Sequence, residues 1–247
     1  MKHRRFRILK EMIRGGEAVS RDAAEIRHMT RVLRLGPGDP VTLFDGEGGE
    51  YPALISSISA DEVVFSLLPA HGQGSRESSL SITLGVALLK SSRFEWLLEK
   101  ATELGVSEIA PFFSRYVVVK DREENRAKHL ERWRKIVSEA AKQSGRSKVP
   151  EVREPRDFEK ILSLDFPGPR IFLWEREEKT NLRMALEKPF SSVMALVGPE
   201  GGFSEDEARR AIGSGFTPVR LGPRTLRAET AGIMIVGLLQ FLYGDMT

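Results

Sequence analysis

The chain has 247 residues, with 38 Lys and Arg against 35 Asp and Glu and no cysteine. That length admits one large domain or two smaller ones, each able to bury a core, and the lack of cysteine excludes disulfides, thiolate metal sites and a cysteine nucleophile while agreeing with a reducing compartment. No apolar run reaches membrane-spanning length and the basic start MKHRRFRILKEMIRGGE has no apolar core, so a cytoplasmic protein is expected.

The net charge of +3 is unevenly spread. Residues 1 to 35 carry ten Lys or Arg against four acids, and residues 115 to 156 carry thirteen against seven. A charge run is most often a solvated face. Two separate excesses in a near-neutral chain favour a polyanionic partner, nucleic acid above all.

In chain order, the first segment holds one helical stretch, Ser20 to Leu33, with Ser20 as cap and Ala23, Ile26, Thr30 and Leu33 on one face. Gly36-Pro37-Gly38-Asp39 ends it, and Val41 to Phe44, Tyr51 to Ile58 and Glu62 to Leu67 read as three short strands separated by turn residues. With a basic N-terminal strand, this is a compact, mostly β module. Residues 71–79, polar and glycine-bearing, read as a linker.

From Leu80 the pattern changes to alternating strands and helices: an apolar strand to Leu89, a helix from Arg93 to Leu104, a strand from Ser107 to Phe113 and a long helix from Glu124 to Ser144. A strand at Val149 to Val152, a helix near Arg156 to Leu164 and a strand at Arg170 to Trp174 follow. This alternation predicts an α/β domain with a mostly parallel sheet covered on both faces.

Two strand-loop-helix units close the chain. Val193 to Val197 leads into Gly198-Pro199-Glu200-Gly201-Gly202 and a helix with Ser204, Glu205, Asp206 and Glu207 at its start. Thr217 to Leu221 leads into Gly222-Pro223-Arg224-Thr225-Leu226-Arg227 and an apolar helix from Ala228. Both loops fall at the carboxyl edge of one sheet, where open α/β folds bind ligands, and glycine lets backbone amides approach a ligand closely.

Several common sites are excluded. There is no GxxxxGK[ST] loop, no HExxH and no GxSxG, and the four histidines (His3, His28, His71, His129) are scattered, so no metal site is expected. The first strand of the α/β domain ends in Leu88-Leu89-Lys90-Ser91-Ser92 instead of a dinucleotide fingerprint. The polar candidates left are Arg115 after a strand, and Glu139, Gln143 and Arg146 near the end of the long helix, where Glu139 and Gln143 share a face. For each of these, solvation or a phosphate contact is the alternative reading.

GPEGGFS (Gly198 to Ser204), LGPRTLRAETA (Leu221 to Ala231), KATELGVSEIAPFFSRYVVVK (Lys100 to Lys120) and EAAKQSGRSKVP (Glu139 to Pro150) together resemble the RsmE family of the SPOUT superfamily, which methylates N3 of a uridine in small-subunit ribosomal RNA. RRFRI and HMTRVLRLGPGD extend the likeness to the N-terminal segment. Lys142, where the family more often has Glu, and Thr225, where it more often has Ile, are departures.

The resemblance implies a PUA-like RNA-binding β-barrel domain over residues 1–70, then a SPOUT methyltransferase domain over 80–247 with a C-terminal trefoil knot. It also implies a homodimer, S-adenosyl-L-methionine bound in a bent shape, and uridine 1498 of 16S rRNA as target. The cofactor residues it implies are Leu173, Gly198, Pro199, Glu200, Gly201, Leu221, Gly222, Arg224, Leu226, Arg227 and Thr230. Arg115 is then a stabiliser of charge on the base, and Glu200 or Glu229 the proton acceptor, with pairing to Arg227 as the alternative for Glu229. Arg4, Arg5, Arg7, His28, Arg31, Arg34, Gln143 and Arg146 are the expected RNA contacts. The competing functions are an inactive ribosome-assembly factor of the same fold and the same chemistry on transfer RNA.

Overall fold

The computed structural model describes residues 4–69, 77–117, 123–187 and 189–246. Residues 71–76 of the expected linker lie outside them. The chain divides into two units, Met1–Glu77 with Ala141–Val149 and Ser78–Ala140 with Pro150–Thr247. Residues 141–149, which come after the long helix has begun, therefore fold with the N-terminal segment.

In the first unit, β1 (Arg5–Arg7), β2 (Ile13–Arg14), β3 (Glu17–Ser20), a short helix α1 (Ala23–Arg27), β4 (Pro40–Phe44), β5 (Glu50–Ile58) and β6 (Val63–Leu67) follow one another. The strands form a curled sheet in the order β1-β4-β5-β6-β3-β2. Only β1 with β4 is parallel. Alternate residues face inward, as the two-residue period of a strand requires. Phe6, Leu43, Ala53, Ile55, Val63 and Phe65 meet Ile26 and Met29 in one core.

Two features of the N-terminal segment differ from the expected helix at 20–33. Its cap is Asp22, whose carboxylate accepts from the amides of Ala24 and Glu25, while Ser20 ends β3 and pairs with Val63. The α-helix also stops at Arg27 and becomes a π-helical turn over His28–Val32, in which the amide of Leu33 bonds the carbonyl of His28. The wider turn lets Met29 and Leu35 both reach the core, and Arg34 follows with φ at +54°.

The second unit runs β7 (Ser81–Ala87), α2 (Ser91–Glu103), β8 (Glu108–Phe113), α3 (Glu123–Ser144), β9 (Glu151–Val152), β10 (Arg156–Asp157), α4 (Phe158–Leu162), β11 (Arg170–Leu173), α5 (Leu182–Ala185), β12 (Ser192–Val197), α6 (Glu205–Gly213), β13 (Thr217–Val219) and α7 (Ala228–Tyr243). Helix α3 ends in the first unit, since Ala141 onward belongs there. The expected helix at 156–164 is shortened because Arg156 and Asp157 pair with Phe112 and Phe113.

The sheet is parallel throughout, ordered β10-β8-β7-β12-β11-β13 with β9 also on β8. Its central strands β7 and β12 are apolar along their length because both faces are covered. On one face α4 and α6 pack over Phe112, Met194 and Leu196. On the other, α7 packs against α2, β7 and β12, with Gly232 close to Leu97 and Leu84. Toward the C-terminal end of α7 the buried Gln240 donates to the Gly105 carbonyl and accepts from the Ser78 hydroxyl.

Candidate active site

Strand β11 lies between β12 and β13, so the segments that leave these three strand ends are neighbours. Residues 173–175, 197–202 and 219–226, with Ala228 and Ala231, enclose a pocket of about 240 Å³ at the carboxyl edge of the sheet. Of the residues singled out in the sequence, Leu173, Gly198, Pro199, Glu200, Gly201, Leu221, Gly222, Arg224 and Leu226 line it. Arg227 and Thr230 are not among the lining residues. The face of α7 that meets the pocket is the one carrying Ala228 and Ala231, three apart on the same side of a helix. Trp174, Glu175 and Arg220 also line the pocket. Their positions beside the ends of β11 and β13 were the signal for them, and in Trp174 the indole N–H is buried without a hydrogen-bond partner among the described residues.

The first glycine loop is held by the protein itself. A Cβ on Gly198 would stand 3.1 Å from the Phe203 ring. Gly202 adopts φ of +71°, a region side chains avoid, and a Cβ there would meet the Glu175 carboxylate at 2.7 Å. Tyr116, after β8, packs against Gly201. Close approach within the chain thus accounts for these three, while a Cβ on Gly222 would stand in open space.

Glu207 ties this loop to the end of β8. One of its oxygens accepts from the Ser114 hydroxyl (2.8 Å) and the Arg115 amide (2.9 Å), and the other from the Ser204 amide (2.9 Å) and hydroxyl (2.8 Å). With Ser204 accepting in turn from the Glu207 amide, this is a capping box that has recruited a neighbouring strand. Burial pushes the Glu207 carboxyl up, but the hydrogen bonds from Arg115, Ser204 and Ser114 outweigh it and hold it below the usual carboxylate value. Arg115 itself is exposed, with its guanidinium 6.0 Å from the Tyr116 ring centre, and does not line the pocket.

The two candidate proton acceptors differ in setting. Glu200 lines the pocket and its side chain is 25% exposed, whereas that of Glu229 is 7% exposed and absent from the lining. Both face one cation: Arg93 of α2 places Nη1 3.3 Å from Glu200 Oε1 and Nε 3.8 Å from Glu229 Oε1. The other oxygen of Glu229 has no partner among the described residues. Arg93 was not visible as a site residue, since only the fold brings α2 to these acids. Glu229 pairs with Arg93 and not with Arg227 among the described ion pairs.

In the first unit the expected RNA contacts separate into two groups. Arg4, Arg7, His28, Arg31 and Arg34 are exposed, with Arg4 ion-paired to Asp39. Arg5 and Arg146 are buried. Arg5 pairs with Glu50 and donates to the Arg146 carbonyl. Arg146 pairs with Glu77, which also accepts from the amides of Ser147 and Lys148. Burial pushes the Glu77 carboxyl up, and the bonds from Arg146, Lys148 and Ser147 bring it below its ordinary value. Lys142 is likewise paired inside the unit, 2.7 Å from Glu25 and over the Phe6 ring. Glu139 and Gln143 are exposed, and neither lines the pocket.

Among the described residues there is no cluster of His, Asp and Glu able to hold a metal and no helix long and apolar enough to cross a membrane. Residues 76–240 match a family described as an RNA methyltransferase domain, and residues 21–68 one described as an RNA methyltransferase PUA domain. The chain is 30% identical over 242 residues to the ribosomal RNA small subunit methyltransferase E of Bacillus subtilis, covering 95% of this chain and 94% of that protein. It is 35% identical over 219 residues to the protein of that name from Synechocystis, covering 86% and 69%. Among solved structures it resembles a ribosomal RNA small subunit methyltransferase E from Neisseria gonorrhoeae bound to S-adenosyl methionine, at TM-score 0.90, 31% identity and coverage of 99% and 100%. A methyltransferase from Legionella pneumophila in complex with the cofactor SAM gives 0.89, 33%, and 99% and 100%.

Proposed function

The chain belongs to the ribosomal RNA small subunit methyltransferase E family, and from that premise we propose that it methylates N3 of a uridine in 16S rRNA, uridine 1498, with S-adenosyl-L-methionine as donor. The observation that carries this reading is the pocket where the ends of β11, β12 and β13 meet. Its residues suit the donor: an unfilled approach at Gly222, an unpartnered indole N–H on Trp174, and small side chains at Ala228 and Ala231. Leu173, the Gly198–Gly201 stretch, Leu221, Gly222, Arg224 and Leu226 would hold it, with Arg227 and Thr230, which do not line the pocket, assigned to the same task. When bound, it supplies a methyl carbon on a sulfonium.

The remaining work falls to the chain. Positioning of the base opposite the methyl carbon accounts for much of the acceleration, about 7–11 kcal/mol in favourable cases. N3 must lose its proton, to Glu200 or Glu229, and Arg115 offsets the charge that develops on the uracil oxygens. Arg115 stands on the loop that Glu207 fixes to the pocket's glycine loop. The base is unstacked from its RNA surroundings to reach the pocket.

We assign residues 1–70 to RNA binding, 71–79 to a linker and 80–247 to the catalytic domain. The exposed Arg4, Arg7, His28, Arg31 and Arg34 hold phosphates, with Gln143 beside them in the scheme. A C-terminal trefoil knot is supported by the path of the chain, which leaves β12, crosses β11 to form β13 and returns to lay α7 over β7 and β12. An experimental trace passing outside that loop would overturn it. A homodimer is supported by Met234 and Phe241, exposed on α7, and a single-chain mass in sedimentation would rule it out. A ribosomal RNA substrate supports a cytoplasmic setting for the reaction.

The test is to incubate the protein with labelled S-adenosylmethionine and, separately, unmodified small subunits, naked 16S rRNA and transfer RNA, then map the methylated nucleotide. One 3-methyluridine at position 1498 is expected. Label on transfer RNA, on another base or nowhere overturns the assignment, and the absence of binding heat with S-adenosylmethionine overturns the cofactor.

A further inference from the structure

We propose that Glu229, Arg93 and Glu200 form a relay in which the buried carboxylate fixes the guanidinium and the guanidinium fixes the carboxylate at the pocket. Glu200 is then the group that takes the proton, and Arg93 is a positioning residue. The proposal rests on the methyltransferase reading above and decides what that reading left open.

The argument starts from Glu229. Its side chain is 7% exposed, one oxygen has no partner among the described residues, and the other faces Arg93 Nε at 3.8 Å. Burying a carboxylate costs free energy that a cation beside it offsets. Its place in the first turn of α7 adds the helix dipole, yet the dipole alone gives no reason for an arginine on α2 to reach toward it. Arg93 meets both carboxylates with different nitrogens, Nε for Glu229 and Nη1 for Glu200 at 3.3 Å. Because a guanidinium is a rigid plane, fixing one edge fixes the direction of the other. Glu200 is thereby held at the pocket it lines.

Access separates the two acids. The α7 residues that form the wall are Ala228 and Ala231, and Glu229 lies between them in sequence but off the lining. Glu200 lies on the lining and is a quarter exposed. In the transfer, the N3 proton passes to Glu200 as N3 forms its bond to the methyl carbon. The bond from that carbon to sulfur breaks with its electron pair leaving on sulfur.

The test is a double-mutant cycle read by single-turnover methylation of unmodified small subunits, with S-adenosylmethionine affinity measured by calorimetry on every variant. Glu200→Gln is expected to slow the rate about 100-fold or more, as for loss of a general base. Arg93→Ala is expected to cost about 100-fold through misplacement, and Glu229→Gln about tenfold by the same route. Arg93→Ala/Glu229→Gln should be no slower than Arg93→Ala alone, because Glu229 acts only through Arg93. Cofactor affinity should stay within about threefold in the Arg93 and Glu229 variants, since neither of those two residues lines the pocket. If the double variant shows the product of the two single losses, or if Glu229→Gln costs more than Glu200→Gln, the relay is wrong. A wild-type rate for Arg93→Ala also overturns it. Should Arg93→Ala fail to fold, Arg93→Lys takes its place in the cycle, keeping the charge without the planar fork, and the same non-additivity is required. Loss of cofactor heat in the unaltered protein marks failure of the methyltransferase reading. Intact heat with an additive cycle marks failure of the relay alone.

Discussion

In each unit a buried carboxylate with both oxygens engaged holds a loop in place, but the charged groups near it differ. In the first, Glu77 gathers Arg146 and the amides of Ser147 and Lys148, and the cations Arg31 and Arg34 are exposed without a side-chain partner among the described residues. In the second, Glu207 gathers Ser114, Arg115 and Ser204, and Glu200 and Glu229 share the cation Arg93. Saturated acids serve architecture in both. The exposed cations of the first unit suit a polyanion, and the two acids that share Arg93 in the second suit removal of a proton at the pocket.

The most severe way to break this contrast is Glu77→Ala. Removing Glu77 breaks a buried ion pair, and a loss of about 3–5 kcal/mol is expected in denaturant unfolding of the first unit. The same pair sets a pH dependence. With its folded value held below the ordinary 4.5, Glu77 contributes stability above the unfolded value that is lost as pH falls through the folded one. Acid unfolding of the first unit should therefore move to higher pH when Glu77 is replaced by Gln, and an unchanged acid midpoint would refute the assignment.

Glu207→Ala comes next, at about 2 kcal/mol from loss of the cap and of the bonds to Ser114 and Arg115. Weaker binding of S-adenosylmethionine should accompany it, because the loop at 198–204 loses its tie to β8. Unchanged calorimetric affinity would show that the capping box is only a helix device.

Arg34→Gly should be the mildest. Glycine accepts the φ of +54° without strain, so stability should hold or rise by up to about 1 kcal/mol. RNA affinity should fall, and the slope of log affinity against log salt should shrink by about 0.7 for one lost phosphate contact to single-stranded RNA. An unchanged salt slope would remove Arg34 from the RNA surface.

Much of this was readable from the residues alone. The strand-loop-helix rhythm and the apolar runs of β7 and β12 specified a parallel sheet, and the two glycine loops pointed to its carboxyl edge. What escaped was set by contacts between distant segments. Arg5 and Arg146 look like surface cations in sequence, and only pairing with Glu50 and Glu77 makes them interior. Arg93 lies more than a hundred residues from the acids it serves, in a helix with no mark of a site. Asp22 displaced Ser20 as cap because Ser20 was already committed to β3. The glycines of the first loop were legible as a site, but their reason was not: Phe203, Tyr116 and Glu175 are the groups that come close.

That loop has a kinetic consequence. Gly198, Gly201 and Gly202 each lie close to a different neighbour, Phe203, Tyr116 and Glu175, and the Gly202 amide bonds back to the Pro199 carbonyl. A segment packed against three neighbours and closed by its own hydrogen bond has little freedom left to lose when a ligand arrives, so association should proceed without a slow ordering phase and with a single exponential. Residence time would then be governed by how tightly the pocket grips the ligand, and exchange of spent cofactor for fresh would need no remodelling of the wall.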